Sequence, residues 1–185
     1  MNKENPIYKD EPYKSPQVII PESFENITNH EINEYLYENL PVGIVTSFIL
    51  ATILFYKLSG SIDETIFSIW YGSVLLILVL RVGLLIWFRK TKNEEELQKS
   101  QYVLFTLGST LSASFWGILG SYLMPEGIAN QAFIIIIVSG IIAGATISLG
   151  AKYITSMLYV FFSLFPIIIW EGIQVYNGIK IYVGL

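Results

Sequence analysis

Arg81 and Glu171 are ionisable side chains placed well inside long apolar stretches of the chain. A charged side chain at the centre of a membrane helix costs about 2.5–3.5 kcal/mol on insertion scales, so each is a candidate functional site by default. Each also has a structural explanation. Arg81 could extend its guanidinium to nearby headgroups, and Glu171, which follows Trp170, could mark the boundary of the membrane.

His30 is the single histidine of the chain, and cysteine is absent from the sequence. The pair His30-Glu31 has some likeness to the phospho-acceptor box of histidine kinases, but no glycine-rich ATP-binding region accompanies it. An ordinary exposed histidine near a helix start is the favoured interpretation. One histidine and no thiol cannot build a zinc-thiolate, bis-histidine haem or iron–sulfur site. We therefore expect a non-enzymatic chain with no catalytic residue, no metal site, no cofactor and no nucleic-acid partner.

The composition is typical of a membrane protein. Of the 185 residues, 53% are apolar and 14% are charged, which is roughly half the charged share of a soluble domain. Apolar stretches recur at a regular interval, and each has about 18 to 24 residues, enough to cross a bilayer core as a helix. They lie at 41–58, 66–88, 102–124, 128–150 and 153–176. The predicted fold is an all-α polytopic membrane bundle over residues 41–178, with five complete transmembrane helices.

The N-terminal residues are predicted to contain a tail and a short helix. Residues 1–27 have four prolines among charged and polar residues, which predicts a disordered cytoplasmic tail. Thr28 and Glu31 form a capping-box pattern, which predicts an amphipathic helix over 28–40, followed by Pro41 in the first turn of the next helix. The apolar face of this helix is predicted to contain Ile32, Tyr35, Leu36 and Leu40.

Basic residues predict the orientation of the bundle. Four of them follow the second span and Lys152 follows the fourth, whereas Asp63 and Glu126 lie in the other two connections. Because basic loops remain in the cytoplasm, the N-terminus is predicted to be cytoplasmic. Arg81 then lies about 10 Å from the cytoplasmic edge and Glu171 about 8 Å from the outer edge, so we expect no direct ion pair between them.

Two spans carry small residues at four-residue intervals, a pattern that lets helix backbones approach closely in membranes. The third span has Ser109, Ala113, Gly117 and Ser121 in these positions, and the fourth has Gly140, Gly144 and Ser148. We expect these two candidate helix-packing stripes to pack on each other. A thin-walled passage for a ligand or ion is the alternative.

Pro166 lies in the middle of the fifth span and is a candidate kink. A proline inside a helix removes one backbone hydrogen bond, so the carbonyl around Phe162 would need a partner such as Ser163. The kink could act as a hinge or could simply give the helix its shape. Shape is the favoured interpretation.

A series of hydrophobic, regularly spaced motifs resembles the multi-helix membrane input region at the N-terminus of many bacterial sensor histidine kinases, hybrid kinases and diguanylate cyclases. The series consists of Leu36-Tyr37, Leu40-Pro41, Trp70, Arg81, Phe88-Arg89-Lys90, Gly108, Trp116-Gly117, Ser139-Gly140, Ala143-Gly144-Ala145 and Phe165-Pro166. The resemblance covers about residues 35–178 and implies six helices, the last leading to a cytoplasmic kinase or cyclase. Residues 179–185 look like the start of that sixth helix, so we expect a fragment or a truncated reading frame.

The resemblance implies a membrane-embedded sensory or anchoring domain of a bacterial two-component or related signal-transduction protein, without its catalytic output domain. We expect a multi-pass protein of the inner membrane, with the lipid bilayer as partner, a homodimer formed through the membrane helices and an unknown ligand. The alternative is a small membrane transporter or channel subunit, for which Arg81 is a possible site for an anionic substrate. An orphan structural membrane protein is the third interpretation.

Overall fold

The computed structural model describes residues 22–183, with side chains described for residues 30–176. Five long helices form most of this part of the chain: α1 (Glu22–Leu58), α2 (Glu64–Thr91), α3 (Gln98–Leu119), α4 (Ile128–Ser148) and α5 (Tyr153–Val183). All five are long and apolar enough to cross a membrane. The predicted all-α bundle with five spanning helices is confirmed, and the chain is a multi-pass membrane protein.

The first helix is continuous where the sequence predicted a tail, a short helix and a separate span. α1 begins at Glu22 and passes through Pro41, so residues 22–27 and 28–40 belong to the same helix as the first span. Residues 1–21 of the predicted tail lie outside the described residues. Leu40 and Ala51 are both buried in the bundle, so the helix is packed on either side of the proline. This packing compensates for the one backbone hydrogen bond that a proline removes.

The last helix also runs further than predicted. α5 extends to Val183, so residues 179–183 continue the fifth helix instead of beginning a sixth. Gly178 lies between the two predicted helices but does not end α5, because one glycine in a helix interior costs only about 1 kcal/mol and does not terminate the helix. Residues 184–185 lie outside the described part of the chain.

Short turns connect the helices. Asp63 caps α2, because its Oδ1 accepts hydrogen bonds of 3.0 Å from two N–H groups of the first turn. Gly60 and Gly127 have φ angles of +84° and +95°, a backbone conformation that favours glycine. α3 ends at Leu119, earlier than the predicted 124, and a turn follows in which the N–H groups of residues 120, 121, 123 and 124 bond to the carbonyls of residues 116, 118 and 121.

The helices surround a common core in the order α1, α2, α3, α5, α4, and α4 returns to α1. α3 has the largest buried share of the five spans. Contacts follow the same order along α1 and α3 (Asn33 to Gln98, Tyr37 to Gln101) and along α3 and α5 (Thr106 to Thr155, Ala113 to Ser163), so these three helices run in the same direction. In this order, α4 lies mainly beside α5 and α1, and it makes little contact with α3.

The two ends of the bundle differ in their number of basic residues, as the loops predict. One end, called here the basic end, carries Arg89, Lys90, Lys92, Lys99 and Lys152, with Glu94, Glu95 and Glu96 among them. The opposite end, called the acidic end, carries Asp63, Glu64 and Glu126. At the basic end, Lys92 Nζ lies 3.4 Å from Glu34 Oε1, which links the region after α2 to α1.

Candidate functional site

Arg81 is a buried cation inside the bundle. It lies on α2 with only 8% of its surface exposed, and its Nη2 donates a 3.2 Å hydrogen bond to Ser109 Oγ on α3. Tyr159 of α5 lines the same cavity as Arg81. Among the residues that the structure describes, no Asp or Glu carboxylate lies within 4 Å of it. This arrangement corresponds to a guanidinium held between helices and not to one extended to the headgroups.

A cavity of about 150 Å³ lies beside Arg81. All five helices contribute to its walls, and α1 and α4 contribute most of the lining. The lining is largely apolar and includes Leu36, Leu40, Leu50, Phe105, Ile141 and Leu149. Its polar groups other than Arg81 include Asn39, Thr46, Ser47, Ser148 and Tyr159. The cavity therefore combines one permanent positive charge with a mainly hydrocarbon surface.

The cavity has an opening on the outer surface of the bundle. Val42 and Thr46 of α1 line it and are exposed, and so are Gly140 and Gly144 of α4. A Cβ atom built on either glycine would have no neighbouring atom within 4 Å. The missing side chains thus leave a gap between α1 and α4. In a chain whose helices span a membrane, this side of the bundle faces lipid.

The two small-residue stripes have different partners, so the prediction that they pack on each other is wrong. α3 packs along α5: a Cβ on Gly117 would lie 2.8 Å from the carbonyl oxygens of Phe162 and Ser163. Ser109, at one end of the α3 stripe, binds Arg81, and Ala113, Gly117 and Ser121 are also buried. The α4 stripe of Gly140, Gly144 and Ser148 lines the cavity. The physical reason is the order of the helices, because α5 separates α4 from most of α3.

Pro166 lies within a continuous α5, on the side that contacts α3. Its Cγ would lie 3.0 Å from a Cβ on Gly117, so the proline ring fills space beside the glycine. Ser163 Oγ points to the carbonyl of Ala113 at 3.5 Å. The predicted partner of the Phe162 carbonyl is therefore engaged with α3, and that carbonyl faces Gly117.

Glu171 and His30 lie away from the cavity. Glu171 is exposed on α5, and Trp170 beside it packs against Tyr122 with ring centroids 5.0 Å apart. This position toward the acidic end fits the interpretation of Glu171 as a boundary residue. His30, predicted to be exposed, is partly exposed at the start of the described side chains, and it does not line the cavity. Of the three ionisable candidates, Arg81 lines this cavity, and His30 and Glu171 do not.

Two polar contacts between α1 and α3 were not predicted from the sequence. Tyr37 donates a 2.9 Å hydrogen bond to the Gln101 carbonyl, and its ring stacks on Phe88 with centroids 3.9 Å apart. Asn33 donates a 3.0 Å bond to the Gln98 carbonyl. The spacing of Asn33 and Tyr37, four residues apart on one helical face, was a signal for this contact. These bonds join α1 to the start of α3 at the basic end.

Fold and cavity together define a class of protein: a multi-pass helical membrane protein with a buried cation in a cavity that opens between two of its helices. No group of metal-ligating side chains occurs among the described residues. No family model, curated protein or solved structure matches the chain.

Proposed function

We propose that the chain is the sensory and anchoring domain of a bacterial inner-membrane signalling protein, non-catalytic in itself, with its N-terminus in the cytoplasm. The observation that supports this most is the cavity beside Arg81, a buried guanidinium with no carboxylate within 4 Å among the described residues. The resemblance to the membrane input regions of sensor kinases and diguanylate cyclases supplies the signalling context. A homodimer through the membrane helices belongs to the same proposal.

The position of the cavity suits a sensory role. Every helix contributes to its walls, so a molecule bound there would contact all five helices in the part of the bundle near the basic end. Such a molecule shifts the equilibrium between two packings of α1 and α4 only if it interacts differently with each of them. The opening between α1 and α4 provides such a difference, because a bound molecule can bridge the two helices. In the proposed orientation this change occurs on the cytoplasmic half of the bundle.

A small transporter or channel subunit is the second candidate, and the Arg81 cavity is also the observation that favours it. An anion passing through the bundle would use a buried cation of this kind. The cavity, however, opens sideways between α1 and α4. The described helices also lack the paired interruptions that form substrate sites in many transporters. The sensory role therefore stands first.

The proposed orientation can be tested with fusions. A reporter that is active only in the cytoplasm is expected to work when fused after Lys92 or Lys152, and to be inactive when fused after Asp63 or Glu126. The opposite pattern would reverse the proposed orientation. Uniform activity at all four positions would contradict the spanning helices themselves.

The sensory role can be tested by joining the chain to a sixth helix and a histidine-kinase output domain. Autophosphorylation in lipid nanodiscs is then compared for the wild type, Arg81→Leu and Gly83→Leu. Gly83 is the matched control, because it is an exposed position on the same helix with nothing within 4 Å of its Cβ position. We expect Arg81→Leu to change the kinase output by about five-fold or more, the usual lower bound of allosteric coupling, and Gly83→Leu to leave it unchanged. Equal output from all three would contradict the sensory role.

A further inference from the structure

The guanidinium of Arg81 has hydrogen-bonding capacity that the protein does not use. A guanidinium carries five N–H donors, and the structure gives Arg81 one hydrogen bond, to Ser109 Oγ. No carboxylate lies within 4 Å of Arg81 among the described residues. Only 8% of the surface of Arg81 is exposed. Unlike lysine, arginine cannot lose its charge by deprotonation. The unused N–H donors and the uncompensated charge therefore suit an acceptor with negative charge.

The walls of the cavity select against a fully polar anion. Leu40, Leu50, Phe105 and Ile141 present hydrocarbon to the space beside the guanidinium. A small hydrophilic anion would leave these apolar walls in contact with water, whereas the alkyl portion of a ligand would cover them. The ligand that matches both features has an anionic head and an apolar body.

The volume of the cavity limits how much of the ligand lies inside. A cavity of about 150 Å³ is comparable to one that holds a single benzene molecule. It accommodates a small head group and the first few methylenes, and it is too small for a complete long-chain molecule. The rest of an alkyl chain must leave through the opening between α1 and α4. Gly140 and Gly144 line that opening without side chains, so a single chain can pass beside them.

We propose that the Arg81 cavity binds a single-chain amphiphile with one carboxylate, the head group against Arg81 and the alkyl chain between α1 and α4 in the bilayer. This inference rests on the proposed sensory function and names the class of its ligand. A planar carboxylate accepts two parallel hydrogen bonds from a guanidinium, which a compact ammonium cannot reproduce. A two-chain phospholipid fits this site less well, because the two chains and both ester groups would have to share the opening between α1 and α4 that a single chain fills.

The test uses the complete 185-residue chain in nanodiscs of zwitterionic phosphatidylcholine, with radiolabelled dodecanoate as the probe. We expect saturable binding of one dodecanoate per chain. Unlabelled dodecanoate competes, whereas dodecan-1-ol, dodecyltrimethylammonium and propionate each compete at least about ten-fold less well, because each lacks either the negative charge or the long chain. Dodecyl phosphate, whose head group is larger, competes more weakly than dodecanoate.

Four variants locate the probe. Arg81→Gln is expected to weaken binding at least ten-fold, and Arg81→Lys to weaken it less, since charge remains without the two-pronged geometry. Gly144→Leu fills the opening and is expected to abolish binding. Gly172→Leu is its matched control and retains full affinity, because Gly172 is an exposed α5 glycine that also has nothing within 4 Å. Circular dichroism and gel filtration confirm that each variant is folded.

The possible outcomes separate the ligand from the function. Wild-type affinity in Arg81→Gln, or equal competition by dodecan-1-ol, would overturn the carboxylate assignment. Equal competition by propionate would identify a soluble anion, and tighter binding of dodecyl phosphate would identify a phosphate head group. Either result would also overturn the carboxylate assignment.

If dodecanoate fails to bind while Arg81→Leu still changes the output of the kinase fusion, the ligand class is wrong and the sensory role stands. If dodecanoate binds and that output never changes, the ligand class stands and the sensory role fails.

Discussion

Two glycine-bearing helix faces of this bundle have nearly the same sequence pattern and opposite surroundings. On α3, Gly117 is pressed against α5, so that an added Cβ would lie 2.8 Å from two backbone carbonyl oxygens. On α4, Gly140 and Gly144 have no atom within 4 Å of that position and line the cavity beside Arg81. The first glycine permits contact between backbones. The other two leave space that no other part of the described chain fills.

The difference shows that a small-residue stripe has no fixed role. In membranes such stripes are common at helix contacts because small side chains let backbones approach. The same lack of side chains creates a void when the neighbouring helix does not approach. On α3 the absent side chain contributes to stability, and on α4 it contributes to a site. The comparison therefore predicts a large loss of stability for a glycine-to-alanine substitution on α3 and almost none for the equivalent substitution on α4.

The largest effect is expected for Gly117→Ala. The new methyl group would meet the Phe162 and Ser163 carbonyls, which are backbone atoms and cannot move aside separately. We expect the free energy of unfolding to fall by about 3 kcal/mol, at the upper end of the range for overpacking, despite the better helix propensity of alanine. Thermal unfolding of the detergent-solubilised chain measures this. A melting temperature equal to that of the wild type would mean that α3 and α5 do not approach as described.

Arg81→Leu is expected to act in the opposite direction. This change removes a buried charge without a carboxylate partner, so we expect stability to rise by about 2 kcal/mol even as dodecanoate binding is lost. The same melting assay, with the binding assay alongside, provides the measurement. A clear loss of stability would show that the guanidinium is a structural element of the core and would weaken its assignment to a ligand site.

A smaller loss is expected for Gly120→Ala. Here the added Cβ would lie 2.7 Å from Cδ1 of Ile167, the end of a flexible side chain that can change its rotamer. We expect a destabilisation of about 1 kcal/mol, the usual cost of a strained rotamer. Ile167→Val should restore part of this loss in the double variant, because it shortens the side chain that the methyl group meets. No restoration would indicate that the strain lies elsewhere.

The smallest effect on stability is expected for Gly144→Ala. With no atom within 4 Å of the new Cβ, the melting temperature should correspond to a change of less than about 0.5 kcal/mol, or should rise slightly through helix propensity. Measured beside Gly117→Ala, this variant gives the sharpest test of the comparison. Similar destabilisation by both would mean that α4 packs on a neighbour in the folded protein, for example on a second copy of the chain.

Much of the architecture could be predicted because it depends on local properties of the chain. The five spans follow from the length and hydropathy of their segments. Arg81 and Glu171 were predicted not to form an ion pair, because they lie at different depths in the membrane. The structure shows no ion pair between them. The faces of α1 were only partly predicted, because Tyr35 is exposed while Tyr37 is buried.

The continuity of the helices depends on more than local signals. Pro41 and Gly178 resemble helix boundaries in the sequence, yet α1 and α5 pass through them. A proline or glycine inside a helix costs a limited amount of free energy. It therefore interrupts the helix only when packing elsewhere in the chain does not compensate for that cost. The packing of Leu36, Leu40 and Ala51 in the core supplies this compensation for α1.

The sequence by itself determined that this is a five-helix membrane protein, that α3 and α4 each have a face of small residues, and that Arg81 lies within a span. Only the tertiary structure decided which neighbour each face meets. Spacing along one helix defines the face, but any backbone can fit against it, so the partner is set by the order of helices around the core. That order places α5 against Gly117 and leaves Gly144 beside the guanidinium of Arg81.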